Sequence, residues 1–199
     1  MLKKPRILLL GDSIRMSYQP LVVKALEGVV EVVGPAENCQ FSLYTLSALP
    51  RWLDQSGTPD IIHWNNGLHD VGHNPNRCPV QMPVDDYCGN LAFILRRLRE
   101  TQAQVIWATT TPVHPERPFR QDQWSWRNEE IEEYNEAALK VMRAYDVPVN
   151  DLHAIVSSDP DRYLSADQLH LSETGQQICT EAVVRVVKEH LPKVTGPTL

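Results

Sequence analysis

Ser13, in Gly11-Asp12-Ser13, and the pair Asp167 and His170, in Asp167-Gln-Leu-His170, are residues whose types and spacing fit a nucleophile and its base. An acid and an imidazole three residues apart meet within one turn. The carboxylate then accepts the ring's Nδ1–H, which fixes the tautomer and leaves Nε2 to take a proton from a hydroxyl. Each half is weak alone. Gly-Asp-Ser before a helix is usually an N-cap turn, Asp-x-x-His is usually a helix-start turn, and an unassisted serine is a poor nucleophile. Together they describe nucleophilic acyl transfer. A third stretch, Asn65-Asn-Gly-Leu-His-Asp70, offers Asn65, Asn66 and His69 as donors to a developing oxyanion, beside the backbone N–H of Ser13. An Asx-rich turn has the same composition.

Acyl transfer requires the three stretches on one edge of one scaffold, and the hydrophobic pattern supplies it. Ile7–Leu10 is an apolar run short enough for a strand buried on both faces, ended by Gly11. Tyr18, Leu21, Val22, Ala25 and Leu26 give the following helix its apolar face. Further strands are expected at Val29–Val33, Asp60–Trp64, Val105–Ala108 and Val147–Asn150. Between them fall a helix from Leu43 that Gly57-Thr-Pro59 stops, one from Val84 to Glu100 with Leu91, Ile94, Leu95 and Leu98 inward, one from Glu129 to Tyr145, a single turn at Asp151–Ile155, and a last helix from Ser172 to His190. Five alternations predict a parallel sheet with helices on both faces, in the doubly wound order 2-1-3-4-5. Ligands of such sheets bind outside the carboxyl ends of the strands, where the winding reverses. Ser13, the Asn65–Asp70 loop and the Asp167–His170 turn all map to that edge.

The chain as a whole narrows the partners. At 199 residues a single domain, 1–199, is expected, with ample core. A net charge of −6 supports neither a nucleic-acid nor an anionic-membrane partner. No apolar run approaches the roughly 20 residues of a membrane span, and the basic N-terminus lacks a signal h-region. The expected location is the cytoplasm, or outside it as a mature exported form. Cys39, Cys78, Cys88 and Cys179 make no CxxC pair, which argues against a zinc ribbon. Free thiols are expected in a cytosolic protein; for an exported one the sequence leaves a Cys78–Cys88 bridge open.

In order and spacing, Gly11-Asp-Ser13, Gly67-Leu-His-Asp70 and Asp167-Gln-Leu-His170 resemble the motif blocks of the SGNH (GDSL-type) hydrolases over nearly the whole chain. The resemblance implies a serine esterase with a flavodoxin-like α/β/α fold and no metal or organic cofactor. Ser13 would be the nucleophile, His170 the base and then the acid, and Asp167 its orienting partner. Two departures touch the oxyanion hole. His69 stands where the family has Gly-x-Asn-Asp, so a neutral imidazole, or Asn65 or Asn66, would have to donate. Asn38-Cys-Gln40 stands where the family has Asn-x-Gly, so the backbone donor would come from Gln40 in a conformation glycine normally supplies. The wording Trp-Asn-Asn-Gly-Leu-His-Asp is similar to a carbohydrate-esterase subgroup.

The stretch from Val113 to Arg127 is too long for a simple connection and carries Trp124, Trp126 and Arg127. Aromatic faces with a guanidinium suit a sugar ring. With Asp12, Asn38 and Asn65, these residues are the expected substrate contacts. O-acetyl removal from a carbohydrate, a small-molecule or oligosaccharide ester, is the preferred reaction. Three other readings share the residues: a general small-ester or thioester hydrolase, a metal-dependent phosphohydrolase using Asp12, His69, Asp70, Asp167 and His170, and a non-catalytic carbohydrate-binding protein.

Overall fold

The computed structural model describes residues 4–76 and 79–191. Five parallel strands form one sheet in the order β2-β1-β3-β4-β5: β1 (Arg6–Leu10), β2 (Glu31–Val33), β3 (Ile61–Trp64), β4 (Gln104–Ala108) and β5 (Val149–Asn150). Around it lie α1 (Ser13–Ala25), α2 (Ser42–Ser56), α3 (Leu68–Val71), α4 (Val84–Arg99), α5 (Asn128–Ala144), α6 (Leu152–Ser157), α7 (Pro160–Tyr163) and α8 (Glu173–His190). Helix α1 packs on α8, and α4 packs on both α2 and α5, giving the expected three layers.

The central strands read as apolar runs because both faces are covered. Ile7 to Leu10, Ile61, Ile62 and Trp64 are fully buried, each contributing about 1.5–3 kcal/mol of hydrophobic stabilisation. His63 is buried in the same strand and accepts a hydrogen bond from Asn150 Nδ2 at 3.0 Å. Leu91, Ile94, Leu95 and Leu98 line the inner face of α4, while Arg96, Arg97 and Arg99 stay outside.

Most element ends fall within a residue or two of the sequence pattern, and the larger departures lie at β2, at β5 and in two loops. The N–H groups of Val29 and Val30 turn back to Leu26 O, so β2 starts at Glu31. Val147 bonds to Met142 O and Pro148 has no N–H, so β5 shrinks to two residues. The loops expected after β3 and before α8 each contain a helical turn, α3 and α7. Ala25 is exposed rather than part of the apolar face of α1. Cys78, and with it the Cys78–Cys88 pairing, lies outside the described residues.

Candidate active site

Ser13 stands at the carboxyl end of β1, where the strand turns into α1. A Cβ at Gly11 would come within 2.8 Å of Arg15 Cβ, so the turn needs glycine there. Asp12 is buried and caps the helix, its Oδ1 accepting Ile14 N–H at 2.9 Å. As the first residue of α1, Ser13 has a backbone N–H with no intrahelical acceptor, at the positive end of the helix dipole.

Across the edge, the turn before α8 brings the acid and the imidazole to the serine. Ser13 Oγ is 3.0 Å from His170 Nε2, and His170 Nδ1 is 2.6 Å from Asp167 Oδ2. Asp167 Oδ1 accepts from Ser165 Oγ at 2.8 Å, from His170 N–H at 2.9 Å and from Leu169 N–H at 3.0 Å. Burial pushes the Asp167 carboxyl upward, but the hydrogen bonds from the His170 ring and amide, the Leu169 amide and the Ser165 hydroxyl outweigh it. They hold the group well below the usual carboxylate range. An ionised acid on Nδ1 and a hydroxyl on Nε2 are what general-base activation of a serine requires. Ser165 was not visible as a site residue in the sequence, since a serine two residues from an aspartate is an ordinary turn.

The oxyanion side is more particular. Gln40 has a left-handed backbone, φ 52°. Its N–H donates to Asn38 Oδ1 at 2.7 Å. Asn66 departs from its expected role: it is fully buried and its amide hydrogens go to Gln40 O at 3.0 Å and Thr45 Oγ1 at 2.9 Å. Its own oxygen accepts from Trp64 Nε1 at 2.7 Å. Asn66 therefore holds the Gln40 loop in place and has no side-chain N–H left for an oxyanion. Asn65 commits one amide hydrogen to Ala108 O at 2.9 Å and lies under the turn, near Gly11. His69, on the short helix α3, is near enough to Asp12 and His170 to feel both charges. Burial first, and then the His170 charge, lower its pKa, opposed by Asp12, so at neutral pH the ring is uncharged and has one N–H to give. Gly67 leads into that helix at φ 146°, where a Cβ would fall 2.1 Å from Thr110 Oγ1.

Asp70, also in this motif, points away from the cleft. Buried, it accepts Ser42 N–H at 2.8 Å and caps the start of α2. Burial drives its pKa up to about 7 against the hydrogen bonds from Ser42. Among the described residues, no three His, Cys, Asp or Glu side chains converge as a metal-ligand set.

The substrate-side residues divide. Trp124 is half-buried with its ring edge-on to His69, centroids 5.5 Å apart. Trp126 is buried and donates Nε1–H to Leu68 O at 2.6 Å, so it packs the loop instead of facing a ligand. Arg127 lies 3.6 Å over the Phe119 ring and bonds to Glu130, away from the role expected of it. Asp12 Oδ1 caps α1 and Asn38 Oδ1 closes the Gln40 turn, while Asp12 Oδ2 is buried without a partner among the described residues. One contact not apparent in the sequence ties the long loop to the acid: Arg117 Nε donates to Asp167 O at 3.3 Å while stacking over Trp126.

A five-stranded parallel sheet of this order, with a serine, a histidine and an acid brought together at its carboxyl edge, is the architecture of the three-layer α/β/α hydrolases. The chain belongs to the GDSL-like Lipase/Acylhydrolase family, matching its profile over residues 9–178. It is 25% identical over 138 residues to the GDSL esterase/lipase WDL1 of Oryza sativa subsp. japonica, a match covering 65% of this chain and about half, 53%, of that protein. Among solved structures, a lipase/acylhydrolase from Enterococcus faecalis superposes with a TM-score of 0.77 at 22% identity, covering 96% of this chain and 100% of that one. The acetyl xylan esterase AlAXEase gives a TM-score of 0.76 at 16% identity, covering 92% and 99%. No helix among the described residues is long and apolar enough to cross a membrane.

Proposed function

We propose that this ester hydrolase removes short acyl groups, O-acetyl groups on a carbohydrate, through a covalent serine intermediate. The observation that carries the reading is the unbroken relay from Ser13 Oγ to His170 Nε2 at 3.0 Å and from His170 Nδ1 to Asp167 Oδ2 at 2.6 Å. Ser13 Oγ attacks the ester carbonyl carbon as His170 takes its proton. The oxyanion is met by the Ser13 N–H and the His69 ring N–H. Collapse breaks the bond to the sugar oxygen, which receives the proton from His170. Water, deprotonated by the same ring, then attacks the acetyl-serine and releases acetate.

Trp124 beside His69 supplies an aromatic face at the rim, and an acetyl xylan esterase shares the fold. A second reading, a short-chain ester or thioester hydrolase without sugar preference, is favoured by the engagement of Trp126 and Arg127 in packing. Acetate release from p-nitrophenyl acetate and from a panel of acetylated oligosaccharides, with Ser13→Ala beside the parent, separates the two. Faster release from the oligosaccharides supports the first; equal or slower release supports the second. Activity surviving in Ser13→Ala would overturn both.

A further inference from the structure

The guanidinium of Arg15 is buried two residues from the nucleophile, the side chain 2% exposed, and it is held chiefly by main-chain carbonyls. Nε and NH2 both donate to Gly11 O, at 3.3 and 3.1 Å. NH2 also donates to Glu37 O at 2.9 Å, and NH1 donates to Pro35 O at 3.0 Å and to Gln19 Oε1 at 2.8 Å. Gly11 immediately precedes Asp12 and Ser13. Pro35 and Glu37 belong to the loop that delivers Gln40. One planar group thus bridges the nucleophile turn and the facing wall of the oxyanion pocket. We infer that Arg15 is a positioning residue for acyl transfer, fixing the Ser13 turn against the Gln40 loop, an inference that rests on the serine-esterase reading above.

Several features of the neighbourhood make sense only with the arginine in place. The missing Cβ of Gly11 is what lets the Arg15 stem lie across the turn. Cys39 N–H joins the guanidinium on Gly11 O, at 3.2 Å. On the far side, the Glu37 carboxylate is gripped by Tyr44 OH at 2.6 Å, Arg51 NH2 at 2.6 Å and Trp52 Nε1 at 2.8 Å. The loop therefore hangs between an anchor on α2 and an anchor on α1, and Arg15 is the one on the nucleophile's side. A non-glycine residue at φ 52° persists only where its surroundings impose that conformation, and these contacts do so together with Asn66. Lysine could restore the charge but lacks the planar fork that reaches several carbonyls at once.

The test compares Arg15→Met, Arg15→Lys and Val22→Ala with the parent on p-nitrophenyl acetate, with active sites counted by fluorophosphonate labelling. Val22 is a buried residue of the same helix that forms no part of the site. A displacement of about 1 Å can lower a rate about 100-fold. Arg15→Met should lower kcat per active site by about 10- to 100-fold, leave KM within about threefold, and slow serine labelling in parallel. Arg15→Lys should stay within about threefold of Arg15→Met, and Val22→Ala should keep the parent kcat while losing Tm. Parent-like kcat in Arg15→Met would overturn the inference, as would an equal kcat loss in Val22→Ala. If Arg15→Met does not fold, Arg15→Lys and Gln19→Met decide the matter: reduced kcat in both supports the role, and parent-like kcat in Arg15→Lys overturns it. Ser13→Ala keeps the two readings apart. Activity remaining there removes the serine mechanism, whereas a dead Ser13→Ala with a normal Arg15→Met removes Arg15 alone.

Discussion

Asn38 Oδ1 accepts the Gln40 N–H at 2.7 Å, closing a short turn whose last residue has the left-handed φ of 52°. The side chain of Asn38 thus occupies the donor that a glycine in this position would offer to a substrate. The turn also stores strain, because an L-residue in this region costs about 1–2 kcal/mol relative to glycine.

Gln40→Gly should therefore raise stability by up to about 1 kcal/mol, the relieved strain being partly offset by the greater entropy of the unfolded chain. The urea midpoint measures it. Gln40→Val, β-branched in the same backbone region, should shift the midpoint the other way.

Asp70 sets the alkaline side of the stability profile. Its carboxyl is raised to about 7 in the folded protein, from 3.8, so the folded state holds this proton more tightly than the unfolded chain does. The contribution is fully present below about pH 4 and is lost as pH rises through about 7. Asp70→Asn keeps an acceptor for Ser42 N–H and removes the titration. Its unfolding free energy should change less than the parent's between pH 5 and pH 8, by about 2–4 kcal/mol. Parallel profiles for the two proteins would show that Asp70 titrates normally.

His63 acts at the acid side with the opposite sign. Burial lowers its pKa from 6.5 to about 4, so the unfolded chain binds the proton first. Its contribution is present above about pH 6.5 and is lost as pH falls through about 4. His63→Leu should be less stable at pH 7, since Asn150 loses its acceptor, yet show a flatter slope between these pH values in urea titrations.

Much of this arrangement is legible in the sequence. The run Ile7–Leu10, the helix stop at Gly57 and the inward face Leu91–Leu98 have strong local causes, so strand order and layers follow from them. Ser13, Asp167 and His170 were legible because chemistry demands those types at sheet-edge positions. What escaped was the division of labour among neighbours of like type. Asn65 and Asn66 look equivalent in sequence, yet Asn66 spends its amide on Gln40 and Thr45, partners 26 and 21 residues away. Trp126 and Trp124 alternate in the same loop, and only the pairing of Trp126 with Leu68 O separates a packing residue from a rim residue. Arg15 reads as one more charged helix residue until the carbonyls of Pro35 and Glu37 are seen closing on it.

Asp167 is about half exposed, its side chain 51%, so water can reach the Nδ1 side of His170. Replacement by asparagine leaves an amide that can donate to Nδ1 and stabilise the wrong tautomer, whereas alanine admits water that can accept the Nδ1–H. Asp167→Asn should lose about 10³–10⁴ in kcat and Asp167→Ala about tenfold less. Steady-state kinetics on p-nitrophenyl acetate give the order, and a more active asparagine variant would contradict the tautomer argument.

His69 gives the last expectation, because the oxyanion role proposed for it falls to a ring that can titrate. Its lowered pKa, set first by burial and then by the neighbouring His170 charge against the pull of Asp12, keeps the ring neutral at pH 7 with a single N–H. His69→Ala should lower kcat by about 10²–10³ with little change in KM, the loss produced by removing one oxyanion donor. His69→Asn keeps an N–H donor and should stay within about tenfold of the parent. The two proteins should part company in acid: once the pH falls through the lowered pKa of the parent ring it gains a proton beside His170, whereas the asparagine variant cannot. A kcat–pH profile of parent, His69→Asn and His69→Ala reads all three effects. Full activity in His69→Ala would take the imidazole out of the oxyanion site and leave the backbone N–H of Ser13 as its anchor.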